Sequence, residues 1–375
     1  MHYYLSSASP SASVEHTASR ALAVLGHDPI SISSILIPMA LADSSPSSTA
    51  VRQALLGLSS LHRYGVQAQA FEFKISAINS LKAASFTSIG AAEALQHIAA
   101  GMLLCSFEIH RASCTSSQWH FFINGVRQVL YASVLNFKWN SVISTMMDWV
   151  FYYHSMGRFS TLHWRPPLHT EYCPSVNCWS VRFPSFPCPN HHPLTLYQVS
   201  QLTPSPTNTL LILLNLGYQI FASIPESVPA GILQNLGWEL QNLPLPDTPD
   251  PTFELFYLSI FVYFNRMTAY ALEPRSTNQT RIQRALTIFA TLDSCPRQFP
   301  LLIIGCEART DDDRCTVLEL IDRTEKTASS RSVDILSALI KAVWVQDDLA
   351  GDRELNYREK MTALISVCSL MPMFV

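Results

Sequence analysis

The sequence is poor in charge and in glycine. Asp, Glu, Lys and Arg make up 14% of its 375 residues, against roughly 25% in an average soluble protein. Disordered chains are rich in charge and poor in apolar residues, whereas this chain is 48% hydrophobic, so disorder is excluded as its main state. Only 12 residues are glycine, which disfavours a turn-rich all-β protein. A large, core-rich helical protein is what remains.

The sequence also lacks a basic stripe, a signal peptide and a long apolar run. Its net charge is −3 and its lysines and arginines are scattered singly, so we do not expect the chain to bind DNA by itself. The first 30 residues do not match a secretory signal. The longest apolar run, 210–224, is too short to cross a membrane. Nine cysteines, an odd number, without a signal sequence predict a reducing compartment, the cytosol or the nucleus.

Motifs for catalysis are absent as well. The sequence has no phosphate-binding glycine loop, no His-Glu-x-x-His and no Gly-x-Ser-x-Gly, so we predict neither a catalytic site nor a cofactor. The weak metal candidates are Cys173, Cys178, Cys188 and His191, with His192 beside them. Structural zinc sites usually use ligand pairs two to four residues apart, and a loop without metal is the favoured interpretation. Three helical histidines lack a partner at ligand spacing and are predicted to be core or surface residues: His62, His110 and His120.

Acidic clusters raise one enzyme alternative, a class I terpene cyclase. Such an enzyme binds magnesium and diphosphate through carboxylates one helical turn apart. Asp347 and Asp348 precede Asp352, which lies one residue too late for that spacing. The cluster at 311–313 is followed by Arg314 and does not fit either. We interpret both clusters as solvated helix ends, and the cyclase is the remote alternative.

Apolar residues recur at helical spacing along most of the chain. Val51, Leu55 and Leu58, for example, fall on one helix face. This periodicity predicts helices over 51–61, 66–84, 90–110, 117–135, 140–159, 208–223, 229–241, 252–271 and 279–292. In the C-terminal third, the acidic residues 311–313 suit a helix N-terminus, and two more apolar stripes end at Trp344 and Cys368. The predicted fold class is all-α, a multi-helix array in one domain or two packed lobes.

Two segments lack this periodicity. Residues 1–34 are rich in Ser and Ala and are predicted to be poorly ordered. Residues 162–206 hold nine prolines and three cysteines, and proline at this density breaks helices. We predict an irregular insertion there, within a folded unit that spans 35–375.

Short islands of the sequence resemble the regulatory domain of fungal-specific transcription factors of the six-cysteine binuclear zinc-cluster class. They lie in order over about residues 30–375: ILIPMAL at 35–41, VRQALLGLSSLH at 51–62, Lys74, Trp119-His120 with Gly125, Phe159 with His163-Trp164, FPLLIIGCEA at 299–308, WVQDDL at 344–349 and MPMF at 371–374. Their order makes the resemblance specific. We interpret the islands as determinants of the fold: Gly57 and Gly125 as close helix approaches, and Glu307 with Arg309 as a local ion pair.

The resemblance implies an α-helical effector domain that acts in the nucleus on genes transcribed by RNA polymerase II, with metabolic or secondary-metabolite genes as targets. Transcription machinery or co-regulators are the implied partners, and a homodimer and a small-molecule effector are compatible with it. The zinc cluster of this class needs two C-x2-C-x6-C repeats, yet no cysteine precedes Cys105. We therefore expect zinc and DNA contact only through a missing N-terminal domain or a partner. The alternative is a metabolite-sensing or partner-binding helical protein without DNA binding of its own.

Overall fold

Helices dominate the part of the chain that the computed structural model describes, which is residues 22, 25, 29–85, 90–110, 118–133, 137–138, 140–164, 208–223, 230–245, 249–295, 297–327, 331–351 and 356–375. These residues contain fourteen helices and no strand, which confirms the all-α prediction. The helices are α1 (Pro29–Leu41), α2 (Pro46–Tyr64), α3 (Ala68–Ala84), α4 (Ala91–His110), α5 (Trp119–Ser133), α6 (Ser141–His163), α7 (Asn208–Ser223), α8 (Ala230–Gln241), α9 (Pro251–Met267), α10 (Arg275–Thr291), α11 (Gln298–Gly305), α12 (Asp311–Thr327), α13 (Arg331–Ala350) and α14 (Tyr357–Ser366).

Short polar residues fix the starts of several helices. The Ser45 hydroxyl accepts a hydrogen bond from the backbone at the start of α2, where Pro46 occupies the first helical position. Asn140 caps α6 in the same way, and the Asp250 carboxylate accepts two backbone N–H groups at the start of α9. Such caps satisfy N–H groups that have no partner inside the helix. Asn356 plays this part for α14, so local sequence determines where these helices begin.

The two segments without periodicity are described only in part. Helix α1 begins at Pro29, so the last six residues of the N-terminal segment 1–34 are helical. Helix α6 ends at His163, and Trp164 follows it. The next described residue is Asn208, where α7 begins. The insertion predicted at 162–206 therefore lies, apart from its first three residues, outside the described residues.

Neighbouring helices pack on one another in two groups joined by α6. In the first group, α2 packs on α3 and α4, and α4 packs on α5. In the second group, α9 packs on α10 and α11, while α13 contacts α11, α12 and α14. Helix α6 contacts α4 and α5 from the first group and α7 and α14 from the second. Buried apolar side chains from Leu22 to Val375 form one continuous core.

Aromatic rings fill the centre of that core. The Phe159 ring of α6 lies with its centroid 5.1–5.7 Å from four rings on four other segments, in edge-to-face contact with each. These are Phe221 of α7, Tyr263 of α9, Phe299 of α11 and Phe374 after α14. Edge-to-face pairs contribute about 0.5–1.5 kcal/mol each beyond the area they bury. This aromatic cluster therefore packs α6 against α7, α9, α11 and the segment after α14.

The last residues of the chain close the contact between the two groups. Met371, Met373, Phe374 and Val375 are all buried. The Trp119 indole N–H, at the start of α5, donates to the Met371 carbonyl oxygen at 3.1 Å. The C-terminal residues thus link the first helical group to the aromatic centre.

Candidate functional site

Two islands of the family resemblance meet in space at the junction of α11, α13 and α14. The Trp344 indole N–H donates to the Gly305 carbonyl oxygen at 2.8 Å. A Cβ atom at Gly305 would lie 2.8 Å from the Cδ1 atom of Ile340, so a larger residue there would have to displace the Ile340 side chain. The islands 299–308 and 344–349 are therefore one packed unit, which we call the junction.

Asp347 and Asp348, the acidic pair that suggested a cyclase, both form ion pairs at the junction. Both carboxylate oxygens of Asp347 accept from the Lys360 ammonium at 2.6 Å, and Arg309 donates to the same group at 2.7 Å. Asp348 pairs with Arg314 at 2.6 Å, and these hydrogen bonds hold the pKa of the Asp348 carboxyl below its usual range. The carboxylates face cations of their own chain, an arrangement that suits structural pairing and not metal binding. Asp352 lies outside the described residues.

A second ion pair at the junction corrects one sequence-based expectation. Glu307 does not pair with Arg309; its carboxylate lies 3.1 Å from the Arg266 guanidinium of α9, and both side chains are buried. Arg266 also stacks over the Tyr357 ring, with 4.9 Å from the guanidinium carbon to the ring centroid. Glu307 and Arg309 therefore have different partners. Glu307 links the end of α11 to α9, and Arg309 links it to α13.

The outer face of α13 carries a stripe of apolar side chains that the sequence analysis missed. Val345 is 57% exposed and Leu349 is 83% exposed. Ala338 and Ala342 are also exposed and precede them at spacings of four and three residues, the pattern of a helix-pairing face. The inner face holds the predicted stripe of Val333, Leu336, Ile340 and Trp344. The spacing of the outer stripe is visible in the sequence. However, when a helix has two apolar faces, the sequence alone does not show which of them is buried in the core.

Two cysteine thiols around the junction are made unreactive by burial. Desolvation raises the pKa of Cys306 to about 12 and that of Cys295 to about 12. A thiol with such a pKa is protonated at neutral pH and is a poor nucleophile and a poor metal ligand. These two cysteines are therefore core residues.

The first helical group holds a buried charge of its own. The Lys74 ammonium, in α3, lies 2.6 Å from a carboxylate oxygen of Glu108, in α4, and 3.0 Å from the side-chain carbonyl oxygen of Gln118. The rings of Phe107 and Phe122 lie about 6 Å from the ammonium. The lysine of the family resemblance is thus an internal link between two helices.

The histidines singled out from the sequence are only partly brought together. The rings of His62 and His110 lie with their centroids 5.2 Å apart, at the ends of α2 and α4. Burial, with a smaller effect of His110, lowers the pKa of His62 to about 3. The His120 ring lies with its centroid 3.9 Å from that of Phe121, and the two planes are tilted by 36°. Within the described ranges, no group of three His, Cys, Asp or Glu side chains could hold a metal ion.

The other metal candidates cannot be placed. Cys173, Cys178, Cys188 and His191 all lie in 165–207, outside the described residues, so the zinc hypothesis stays a prediction. The sequence does not contain the six-thiolate pattern that a binuclear cluster needs, and the residues present do not fit one.

A cleft between α8 and α9 bears on the small-molecule alternative. It is lined by Gly237, Gln241, Phe261, Phe264, Asn265, Leu272 and Glu273. Its interior has room for about one water molecule, so this cleft does not enclose a metabolite. No helix in the described ranges is both long and apolar enough to cross a membrane.

Comparison with known proteins identifies the family. The model of the fungal specific transcription factor domain matches residues 1–217 and 230–368, and the chain belongs to this family. It is thus a transcription factor domain and not an enzyme. The chain is also similar to transcription factor iacI of Pestalotiopsis fici, with 39% identity over 369 residues, 96% of this chain and 92% of that protein. No solved structure matches the chain.

Proposed function

We propose that residues 35–375 form the effector domain of a nuclear regulator of genes transcribed by RNA polymerase II, with secondary-metabolite genes as its targets. The family and the similarity to a named transcription factor support regulation of transcription. DNA contact is assigned to a partner or to a separate zinc-cluster segment, because this sequence has neither the thiol pattern nor a basic stripe.

The observation that carries the mechanism is the outer stripe of α13. The other face of this helix is held in the core, and its C-terminal part is fixed by the ion pairs of Asp347 and Asp348. An apolar stripe on a rigid helix is suited to a partner that offers a complementary helix or groove. We propose that α13 is the contact surface for the transcription machinery or a co-regulator.

A reporter assay tests this proposal. The full chain is fused to an unrelated DNA-binding domain, and reporter output is compared between the native chain and the double variant Val345→Ser, Leu349→Ser. Losing about 1 kcal/mol of contact weakens binding about fivefold, so the output should change by about that factor. The matched control is Ile232→Ser with Trp238→Ser, two exposed apolar side chains of α8, which should leave the output unchanged.

Two results would contradict the proposal at different levels. A native fusion that is inert under several growth conditions would argue against the effector function. An equal loss of reporter output in the α13 variant and the α8 control would be consistent with the effector function. It would, however, show that α13 is not its contact surface.

A further inference from the structure

Two arginines and a histidine meet where α5, α6 and α7 come together. The Arg127 side chain, in α5, donates through Nη1 to Nε2 of His154, in α6, at 3.3 Å. Arg158 lies one helical turn after His154 on the same helix, so the two side chains are neighbours. The ring of Tyr218, in α7, stacks on the His154 ring with 4.5 Å between centroids. We call this group the arginine site.

Among the described residues, the arginine site has no counter-charge. No carboxylate of the described residues lies within ion-pair distance of Arg127 or Arg158, and the buried Nε atom of each has no hydrogen-bond partner. Arg297 shares this feature, because its buried guanidinium lies over the Tyr152 ring and its Nε atom has no hydrogen-bond partner among the described residues. By contrast, a carboxylate faces each guanidinium in a second set of arginines. These are Arg266, Arg281, Arg284, Arg309 and Arg314.

The histidine between the arginines cannot supply the missing charge. A guanidinium only donates hydrogen bonds, so Nε2 of His154 accepts from Arg127 and the imidazole is neutral, with its proton on Nδ1. Burial, followed by the two guanidiniums, lowers the pKa of His154 to about 3. The site therefore carries two positive charges at neutral pH, and both are half-buried.

We propose that the arginine site binds one oxyanion, the carboxylate or phosphate group of a small molecule. Two guanidiniums present planar N–H forks, which match the oxygens of these groups. An anion would supply the counter-charge that the described residues do not provide, and it would relieve the repulsion between two partly desolvated cations. A small molecule fits better than a protein surface, because both arginine side chains are half-buried and their Nε atoms are enclosed by the protein. The proposal goes beyond the transcriptional function and does not depend on it.

The test measures anion binding by the purified chain. Thermal unfolding and calorimetric titration are carried out with sodium phosphate and with sodium acetate, each against sodium chloride at equal ionic strength. We expect the unfolding midpoint to rise with phosphate, acetate or both, and the stronger of the two identifies the ligand class. Arg127→Gln and Arg158→Gln should each weaken binding about tenfold. Arg52→Gln is the matched control, since Arg52 is also half-buried and hydrogen-bonds to Thr49 without an ion pair.

If a glutamine variant is unstable, a lysine variant and NMR spectra of the native chain still test the proposal. Arg158→Lys keeps the charge and loses the fork, so it should bind more weakly than the native chain. In the native chain, the arginine Nε–H signals of Arg127 and Arg158 should shift on titration. The proposal is overturned if neither anion acts more strongly than chloride, or if the Arg127 and Arg158 variants respond as the native chain and the Arg52 control do.

Discussion

Two glycines on neighbouring helices differ sharply in their surroundings. A Cβ atom at Gly157, in α6, would lie 2.9 Å from the Trp119 ring, whereas one at Gly125, in α5, would meet no atom within 4 Å. Gly157 is therefore the close approach, and the sequence-based assignment of that role to Gly125 is wrong. The Trp119 ring is buried and has little freedom to move away.

These surroundings predict substitutions of opposite sign. Gly157→Ala should destabilise the fold by about 1–3 kcal/mol, because the added methyl group overpacks the core. Gly125→Ala should stabilise it by about 0.8–1 kcal/mol, since alanine is the better helix former at an exposed position. Urea unfolding of the two variants measures both values. A Gly157→Ala protein as stable as the native one would show that the Trp119 contact is looser than described.

The buried ion pair of Glu307 and Arg266 gives a second prediction at this scale. Glu307→Gln removes the charge opposite a buried guanidinium and should lower the free energy of unfolding by about 3 kcal/mol. The control is Glu254→Gln in the exposed pair with Arg284, for which we expect a much smaller change because water screens it. Chemical denaturation compares the two variants, and similar losses in both would contradict the difference in burial.

At the scale of single helices, the cap of α6 has the widest effect, because α6 contacts both helical groups. The Asn140 side-chain oxygen accepts from the Ile143 N–H at 2.9 Å. Asn140→Ala should cost about 1 kcal/mol, and Asn140→Asp should retain most of the stability, since aspartate is an equally good cap. Thermal unfolding tests this, and equal loss in both variants would show that the asparagine acts through another contact.

Helix positions could largely be predicted from the sequence, because apolar periodicity records which face is buried. The error at α9 shows the limit. The pattern predicted a helix to 271, but the helix ends at Met267. Ala269 and Tyr270 then take positive φ angles of 50° and 62°, while the Tyr270 hydroxyl receives a hydrogen bond from Arg266. Side-chain contacts within the folded protein end this helix, and no glycine or proline marks the position.

For the molecule as a whole, three histidines couple stability to pH: His163 is buried, and His62 and His154 are half-buried. The pKa of His62, of His154 and of His163 is lowered to about 3, in each case mainly by burial. Their pKa in the unfolded chain is near 6.5. Between pH 6.5 and 3 the unfolded chain binds more protons, so stability rises with pH across this window and is lost as pH falls.

Each of these histidines should contribute up to about 1.4 kcal/mol per pH unit within the window. Urea denaturation at several pH values between 4 and 7 measures the slope. His62→Gln should reduce the slope by about one proton while leaving the dependence on His154 and His163 intact. A native protein whose stability is flat between pH 7 and pH 5 would contradict the burial of these rings.

The candidate sites were harder to predict than the fold, because they depend on residues far apart in sequence. Asp347 appeared to be a member of an acidic motif, and its partners Arg309 and Lys360 become visible only when three helices are in place. Arg127 and Arg158 carry no motif at all. Their role in the proposed site rests on the lack of a nearby carboxylate among the described residues, which the sequence does not reveal.

The buried C-terminal residues have a consequence for biosynthesis. Trp119 is hydrogen-bonded to Met371, which is 252 residues later in the chain. During translation, the Trp119 indole therefore cannot make this hydrogen bond until residue 371 has left the ribosome, long after α5 has emerged. The first helices can fold early as a unit, but a chain released before residue 371 would lack the contact between α5 and the segment after α14.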